Sequence, residues 1–121
     1  MILVDSSVWI DHFRSTNSEL VLMLAQGQVL QHPLVTAEIA LGSIKDRDGV
    51  IPLLTMLPQA PSLADAALLD FILQHGIFET GLGGVDAHLL GTVVTDGTCK
   101  LWTRDKRLAA KADDFGLLFQ P

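Results

Sequence analysis

Four acidic residues stand where a catalytic metal site would be assembled. Asp5 closes the short apolar run Ile2-Leu3-Val4, and Ser6-Ser7 then open an amphipathic segment, Val8 to Arg14. Glu38 follows Leu34-Val35-Thr36, Asp86 follows Gly83-Gly84-Val85, and Asp105 follows Leu101-Trp102-Thr103. Each falls where a strand or a glycine loop gives way to a helix, and in an open α/β sheet those points share one crevice. Carboxylates gathered there repel one another unless a divalent cation neutralises them, which marks a hard-metal site suited to phosphate chemistry. Mg2+ prefers oxygen ligands and keeps several waters, so a few carboxylates suffice and positions stay open to a phosphate and a nucleophile. No serine or cysteine nucleophile is required.

The elements that must position these acids follow from periodicity and punctuation. Strands are expected at 2–5, at Val29 to Gln31, at 100–103 and at Leu117 to Phe119, with an edge strand at Leu57 to Ala60, where Pro58 and Pro61 exclude a central position. Helices are expected at about 7–14, at 18–26 closed by Gly27, from Thr36 as cap to about Ile44 with Glu38 in the first turn, and over 47–57 with Pro52 near its first turn. Ser62 is the expected cap of the next helix, ending at Gly76; further helices are expected at 85–95, after the loop Gly81-Leu82-Gly83-Gly84, and at 105–114. Strands alternating with helices imply an α/β domain with a mostly parallel sheet covered on both faces.

The 121 residues make one domain, 1–121, with no repeat, linker or low-complexity tract. An apolar fraction of 49% excludes a disordered chain, and the longest apolar stretch, Leu20 to Ala25, is too short to span a bilayer. No basic segment precedes an apolar one at the N-terminus, and Cys99 is the only cysteine, so a soluble protein of the reducing cytoplasm is expected. The net charge of −6 argues against broad, salt-driven binding to duplex nucleic acid, which wants a basic face. Local polarity can still differ: Arg104, Lys106, Arg107 and Lys111 cluster beside Asp105. A mean hydropathy of +0.39 is high for so small a chain, and implies that some apolar surface meets a partner.

Taken singly, each of the four acids reads as a helix cap. As a set they say more, because Ser6, Ser7 and Thr36 are available as caps and Asp5 and Asp105 follow strongly apolar runs. In motif order, Val4-Asp5-Ser6-Ser7-Val8-Trp9-Ile10, Thr36-Ala37-Glu38 with Gly42, Asp86-Ala87 with Leu89-Leu90, and Thr103-Arg104-Asp105 with Leu108 resemble the PIN-domain ribonucleases. More closely, the chain resembles the VapC toxins of bacterial toxin–antitoxin pairs, from Ile2 to about Phe119.

The resemblance implies a three-layer α/β/α sandwich and Mg2+-dependent cleavage of RNA, with Mn2+ as a substitute. It implies that Asp5, Glu38, Asp86 and Asp105 hold the metal and the attacking water, and that Ser7 and Thr103 orient them. A small antitoxin protein and a homodimer are the expected partners, and inhibition of translation and growth the expected effect. Arg104, Lys106 and Arg107 are candidate RNA contacts. Trp9 and Phe13, one helical turn apart, could form an apolar groove with Leu20, Val21 and Leu24 for an antitoxin helix, although core packing also accounts for such a pair.

Competing chemistries lack their residues. A response-regulator receiver wants adjacent acids after the first strand and a lysine ending a later one, but Ser6 follows Asp5 and Lys100 precedes its strand. A haloacid-dehalogenase-like phosphatase wants an aspartate where Ser7 stands. A degenerate, non-enzymatic PIN-like scaffold predicts a lost acid, and none is lost. Metal-free cleavage by paired imidazoles would fall to His12 and His88, which read instead as surface or substrate-contact residues.

Overall fold

The apolar run at the start of the chain forms the middle strand of the sheet. In the computed structural model, which describes residues 1–121, the order is β1 (Ile2–Val4), α1 (Ser6–Arg14), α2 (Ser18–Ala25), β2 (Val29–Leu30), α3 (Pro33–Leu41), α4 (Arg47–Met56), α5 (Asp65–His75), α6 (Gly84–Asp96), β3 (Lys100–Trp102) and α7 (Lys106–Asp114). The sheet is parallel with strand order β2-β1-β3, Leu3 facing Leu30 on one side and Leu101 on the other. Since β1 is connected forward to β2 while its other neighbour returns from far along the chain, the loops diverge around β1's carboxyl end and open a crevice there.

The expected α/β architecture is present, with differences at its edges. Leu57 to Ala60 and Leu117 to Phe119 are reduced to isolated parallel bridges, Gln31 with Gln59 and Leu101 with Leu118. Thr36 does not cap α3. Pro33 occupies the first turn, His32 is the capping residue, and Glu38 therefore falls in the second turn. Nor does Ser62 cap α5, which begins at Asp65 after Ala64 with no side-chain cap.

The core is continuous across these elements. Leu3 and Val4 of β1, Val8 of α1, Val35 and Ile39 of α3, Leu89, Leu90 and Val93 of α6, Leu101 of β3 and Leu108 of α7 are all without solvent exposure. Each such side chain contributes about 1.5–3 kcal/mol through burial. α6 is buried on successive residues from Leu89 to Val93, so it is an internal helix rather than a surface one. Gly91 makes that possible: a Cβ there would stand 2.6 Å from Leu63 Cδ1 and 3.2 Å from the Phe71 ring, so α6 and the face of α5 meet closely over this residue. Gly91→Val is expected to destabilise the fold by about 1–3 kcal/mol through overpacking, read as a lower midpoint in chemical denaturation with an unchanged slope.

Candidate active site

Asp5 leaves β1 at its carboxyl end and is 4% exposed. Its Oδ1 accepts from the Ser6 backbone N–H at 2.8 Å, capping α1. Its Oδ2 accepts from Ser7 Oγ at 2.8 Å and from Thr103 Oγ1 at 2.7 Å. Both hydroxyls thus spend their single proton on Asp5, leaving lone pairs for other donors. Ser7 Oγ takes the Arg104 N–H at 3.0 Å and Thr103 Oγ1 takes the Asp105 N–H at 3.1 Å. Through these two hydroxyls one buried carboxylate fixes the loop that presents Asp105.

The other three acids face this anchor from separate elements. Glu38, half-buried on α3, accepts at Oε1 from Ser6 Oγ at 3.1 Å. Ser6, absent from the site expected from sequence, therefore joins Asp5 through its N–H and Glu38 through its hydroxyl. Asp105 caps α7, its Oδ1 accepting from the N–H groups of Arg107 at 2.9 Å and Leu108 at 3.0 Å. Capping and site-building are compatible at Asp105, because the cap engages one carboxylate oxygen and leaves the second.

Asp86 lies in the first turn of α6, where its carboxylate accepts from the backbone N–H of Gly83, the residue at the helix N-cap. Burial, and then the negative charges of Asp5, Asp105 and Glu38, push its carboxyl from the ordinary 3.8 up to about 6. Glu38 is likewise raised, by burial and by Asp5, against the lowering effect of the Ser6 hydroxyl. The four carboxylates form one electrostatic group. No lysine, arginine or histidine pairs with any of them, the two ion pairs of the chain being Arg104 with Asp11 and Lys111 with Asp114.

An all-oxygen donor set with no internal cation fits Mg2+ or Mn2+. As they stand, no three acidic or imidazole groups close around a single ion position. Mg2+ commonly takes one or two carboxylates and completes its octahedron with water and phosphate oxygens.

The basic candidates are distributed unequally. Arg104 turns to Asp11 at 2.7 Å, a pairing between two half-exposed side chains on the β3–α7 loop and α1. Lys106 and Arg107 are exposed in the first turn of α7. Arg107 lies across Gly81, where a Cβ would come within 2.7 Å of its Nη1, so the glycine loop ahead of Asp86 lets this guanidinium approach.

Trp9 does not line a groove. It is 3% exposed, inside the core, stacked on Phe13 with ring centroids 6.0 Å apart. An open groove of about 570 Å3 lies on the far side of Phe13, between Ile10, Phe13 and Arg14 of α1 and the 42–45 loop after α3. His12 accepts at Nδ1 from the Asn17 N–H at 3.0 Å, and His88 packs against His32, so neither imidazole addresses the acids.

Behind the acids lies a buried polar network with no counterpart in the sequence reading. His32, wholly buried, accepts the Leu34 N–H at Nδ1 (3.1 Å), which leaves Nε2 as its protonated nitrogen, facing Thr92 Oγ1 at 3.5 Å. Thr92 in turn donates to the His88 carbonyl at 2.8 Å. Gln31 donates to Thr36 Oγ1 at 2.9 Å. Together these contacts tie α3, which bears Glu38, to the end of β2 and to α6, which bears Asp86. Burial, and then the neighbouring His88, lower the His32 pKa from 6.5 to about 4, so it remains neutral.

Comparison with known proteins agrees with this architecture. The fold matches the crystal structure of PAE2754 from Pyrobaculum aerophilum with a TM-score of 0.63 at 16% identity, over 91% of this chain and 83% of that one. The class defined is a PIN-like α/β domain with an acidic crevice at the carboxyl end of its sheet. Ribonuclease VapC32 of Mycobacterium tuberculosis, in strains H37Rv and CDC 1551, is 47% identical over 117 residues, spanning 97% of this chain and 94% of the relative. The chain belongs to the VapC family of PIN-domain ribonucleases, the toxins of toxin–antitoxin pairs. No protein-family model matches it.

Two groups act on stability in one pH interval with opposite sign. Asp86 holds its proton longer in the folded than in the unfolded chain, so its contribution is present at low pH and lost as pH rises through about 6. His32 protonates near 4 when folded and near 6.5 when unfolded, so its contribution is present above that range and lost as pH falls. In chelator, Asp86→Asn is expected to steepen the loss of stability on acidification across this interval, and His32→Asn, which retains a capping group, to flatten it. Denaturation midpoints measured against pH check both; parallel profiles for all three proteins would contradict the assignment.

Proposed function

We propose that this protein is a Mg2+- or Mn2+-dependent ribonuclease that hydrolyses RNA phosphodiester bonds, and that it acts as a cytoplasmic toxin inhibiting translation and growth. The observation that carries the reading is the uncompensated acidic group centred on Asp86, in a chain whose relatives are named ribonucleases. Asp5, Glu38, Asp86 and Asp105 would hold the metal. A divalent cation there supplies charge neutralisation, a Lewis acid for a phosphate oxygen and a lowered pKa for water.

The chain's own residues supply the rest. Ser7 and Thr103 hold Asp5 in one orientation through Oδ2. Asp105 is held by its bonds to the first turn of α7, with one oxygen turned to other use. Asp86, whose carboxyl is raised to about 6 by burial and by its acidic neighbours while no cation is bound, would gain most from the charge neutralisation a cation brings. Lys106 and Arg107 offer exposed charge to the RNA backbone beside the acids.

Water, not the ribose 2′-OH, is the nucleophile, so the products carry a 5′-phosphate and a 3′-hydroxyl, and a 2′-deoxy substitution at the scissile nucleotide leaves cleavage largely intact. Asp86→Asn is expected to lower kcat by about 10²–10⁴-fold while leaving stability in chelator unchanged or raised at pH 7. Cyclic 2′,3′-phosphate products, or full activity in chelator, would overturn the mechanism. Asparagine at Asp86 keeps an oxygen that can accept the Gly83 N–H, whereas alanine at Asp5 or Asp105 also removes a helix cap, at about 0.5–2 kcal/mol.

The partners follow from the apolar surface. Leu69 and Leu73 on α5 are 56% and 62% exposed, Leu53 and Met56 on α4 are 65% and 80% exposed, and Phe78 is 58% exposed. These residues support a homodimer, and the groove beside Phe13 supports an antitoxin segment. Leu69→Asp/Leu73→Asp is expected to yield a monomer by light scattering at concentrations where the wild type is dimeric, and Phe13→Ala to weaken co-purification with the product of an adjacent small gene. A wild type that is monomeric at high concentration contradicts the dimer.

A further inference from the structure

We infer that a pocket beside the carboxylates, between β3, α7 and the chain after Leu118, binds one unstacked nucleobase of the RNA next to the cleaved bond. The inference rests on the ribonuclease reading above. The pocket has a volume of about 600 Å3, and its walls include Trp102, Thr103, Arg104, Leu118, Phe119 and Gln120. That volume is within the range of small-ligand sites and accommodates a nucleotide.

Topology sets it beside the acids. Leu118 pairs in parallel with Leu101, and the Phe119 N–H donates to the Leu101 carbonyl at 2.8 Å, so residues 119–121 emerge at the same carboxyl edge as Thr103. Thr103 is a wall common to both spaces, its hydroxyl bonded to Asp5 at 2.7 Å. Arg104 stands at the mouth, its backbone N–H held by Ser7 and its guanidinium by Asp11.

The lining has the chemistry of single-strand recognition. The half-buried Phe119 ring rests on buried Trp102, with centroids 5.3 Å apart at 59°, so its orientation is fixed from below. An aromatic face held in this way suits base stacking, and the exposed Gln120 amide offers donors and an acceptor to a base edge. Charge points the same way. With a net charge of −6 the protein has little general attraction for phosphates beyond the local cations Lys106 and Arg107, so contacts to bases add grip that charge does not supply.

Binding of a short single-stranded RNA containing a cleavage site, and of copies with one abasic nucleotide at successive positions, is measured by fluorescence anisotropy. The protein carries Asp86→Asn so that the RNA is not consumed. An abasic nucleotide at one position flanking the cleavage site is expected to weaken binding roughly 5- to 100-fold, as loss of one stacked base does. Adding Phe119→Leu, which keeps apolar volume against Trp102, should weaken the intact RNA similarly and abolish the sensitivity to that abasic position. In otherwise wild-type protein, Phe119→Leu should raise KM with little change in kcat. If the Phe119→Leu protein melts as wild type does yet retains the full abasic penalty, or if no position shows one, the pocket is not a base site. A wild type that cleaves no RNA overturns the ribonuclease reading instead, while the same abasic series in an uncleaved single-stranded RNA, with and without Phe119→Leu, still decides whether the pocket takes a base.

Discussion

The arrangement of the crevice depends on one buried carboxylate. Asp5 is almost free of solvent and is held by the Ser6 N–H and by the hydroxyls of Ser7 and Thr103. Burying an ionised group is tolerated only when its hydrogen bonds are made, and here they come from α1 on one side and from the end of β3 on the other. The same bonds orient the hydroxyl lone pairs that fix Arg104 and Asp105. Removal of Asp5 would leave the half-buried Ser7 hydroxyl and the buried Thr103 hydroxyl without their acceptor, so its effects on structure and on chemistry are not separable.

Around this anchor the protein maintains an unfavourable electrostatic state. The guanidinium of Arg104 is paired with Asp11, and no cationic side chain makes an ion pair with any of the four acids. The strain is expressed at Asp86, whose carboxyl is raised to about 6 chiefly by burial and then by its three neighbours. Stability is supplied elsewhere, by the apolar core and by the neutral His32 network that joins α3 to α6. Such separation, with a well-packed body supporting a locally repulsive crevice, is common where a ligand provides the missing charge.

Legibility in the sequence followed the strength of local signals. Asp5 and Asp105 are readable because each comes after an apolar run and precedes a helix; the structure places Asp5 directly after β1 and Asp105 three residues past the end of β3, as the cap of α7. The start of α3 was misread: Val35-Thr36, a β-branched pair, masks a helix announced by Pro33, whose fixed φ suits a first turn. Trp9 was ambiguous for a different reason, since helical spacing places Trp9 and Phe13 on one face without saying which lies inward. The bridging role of Ser6, the Asp11–Arg104 pair and the His32–Thr92 contact left no local trace, because each joins residues far apart in the chain. Edge strands shrank to single bridges because one pair of backbone hydrogen bonds there is all the short, proline-flanked or terminal segments make.

The central position of β1 has a consequence for the order of assembly. Its partner β3 lies almost the whole chain away, and the bond from Thr103 to Asp5 closes a separation of 98 residues. Pairing across such a distance must meet the entropy of closing a long loop before any contact repays it, so local helices form earlier and this pairing comes late. During vectorial synthesis the first strand therefore waits, with one edge unpaired, until the final segments emerge. The acids are not gathered until then, because the loop that presents Asp105 is fixed only once Thr103 has reached Asp5.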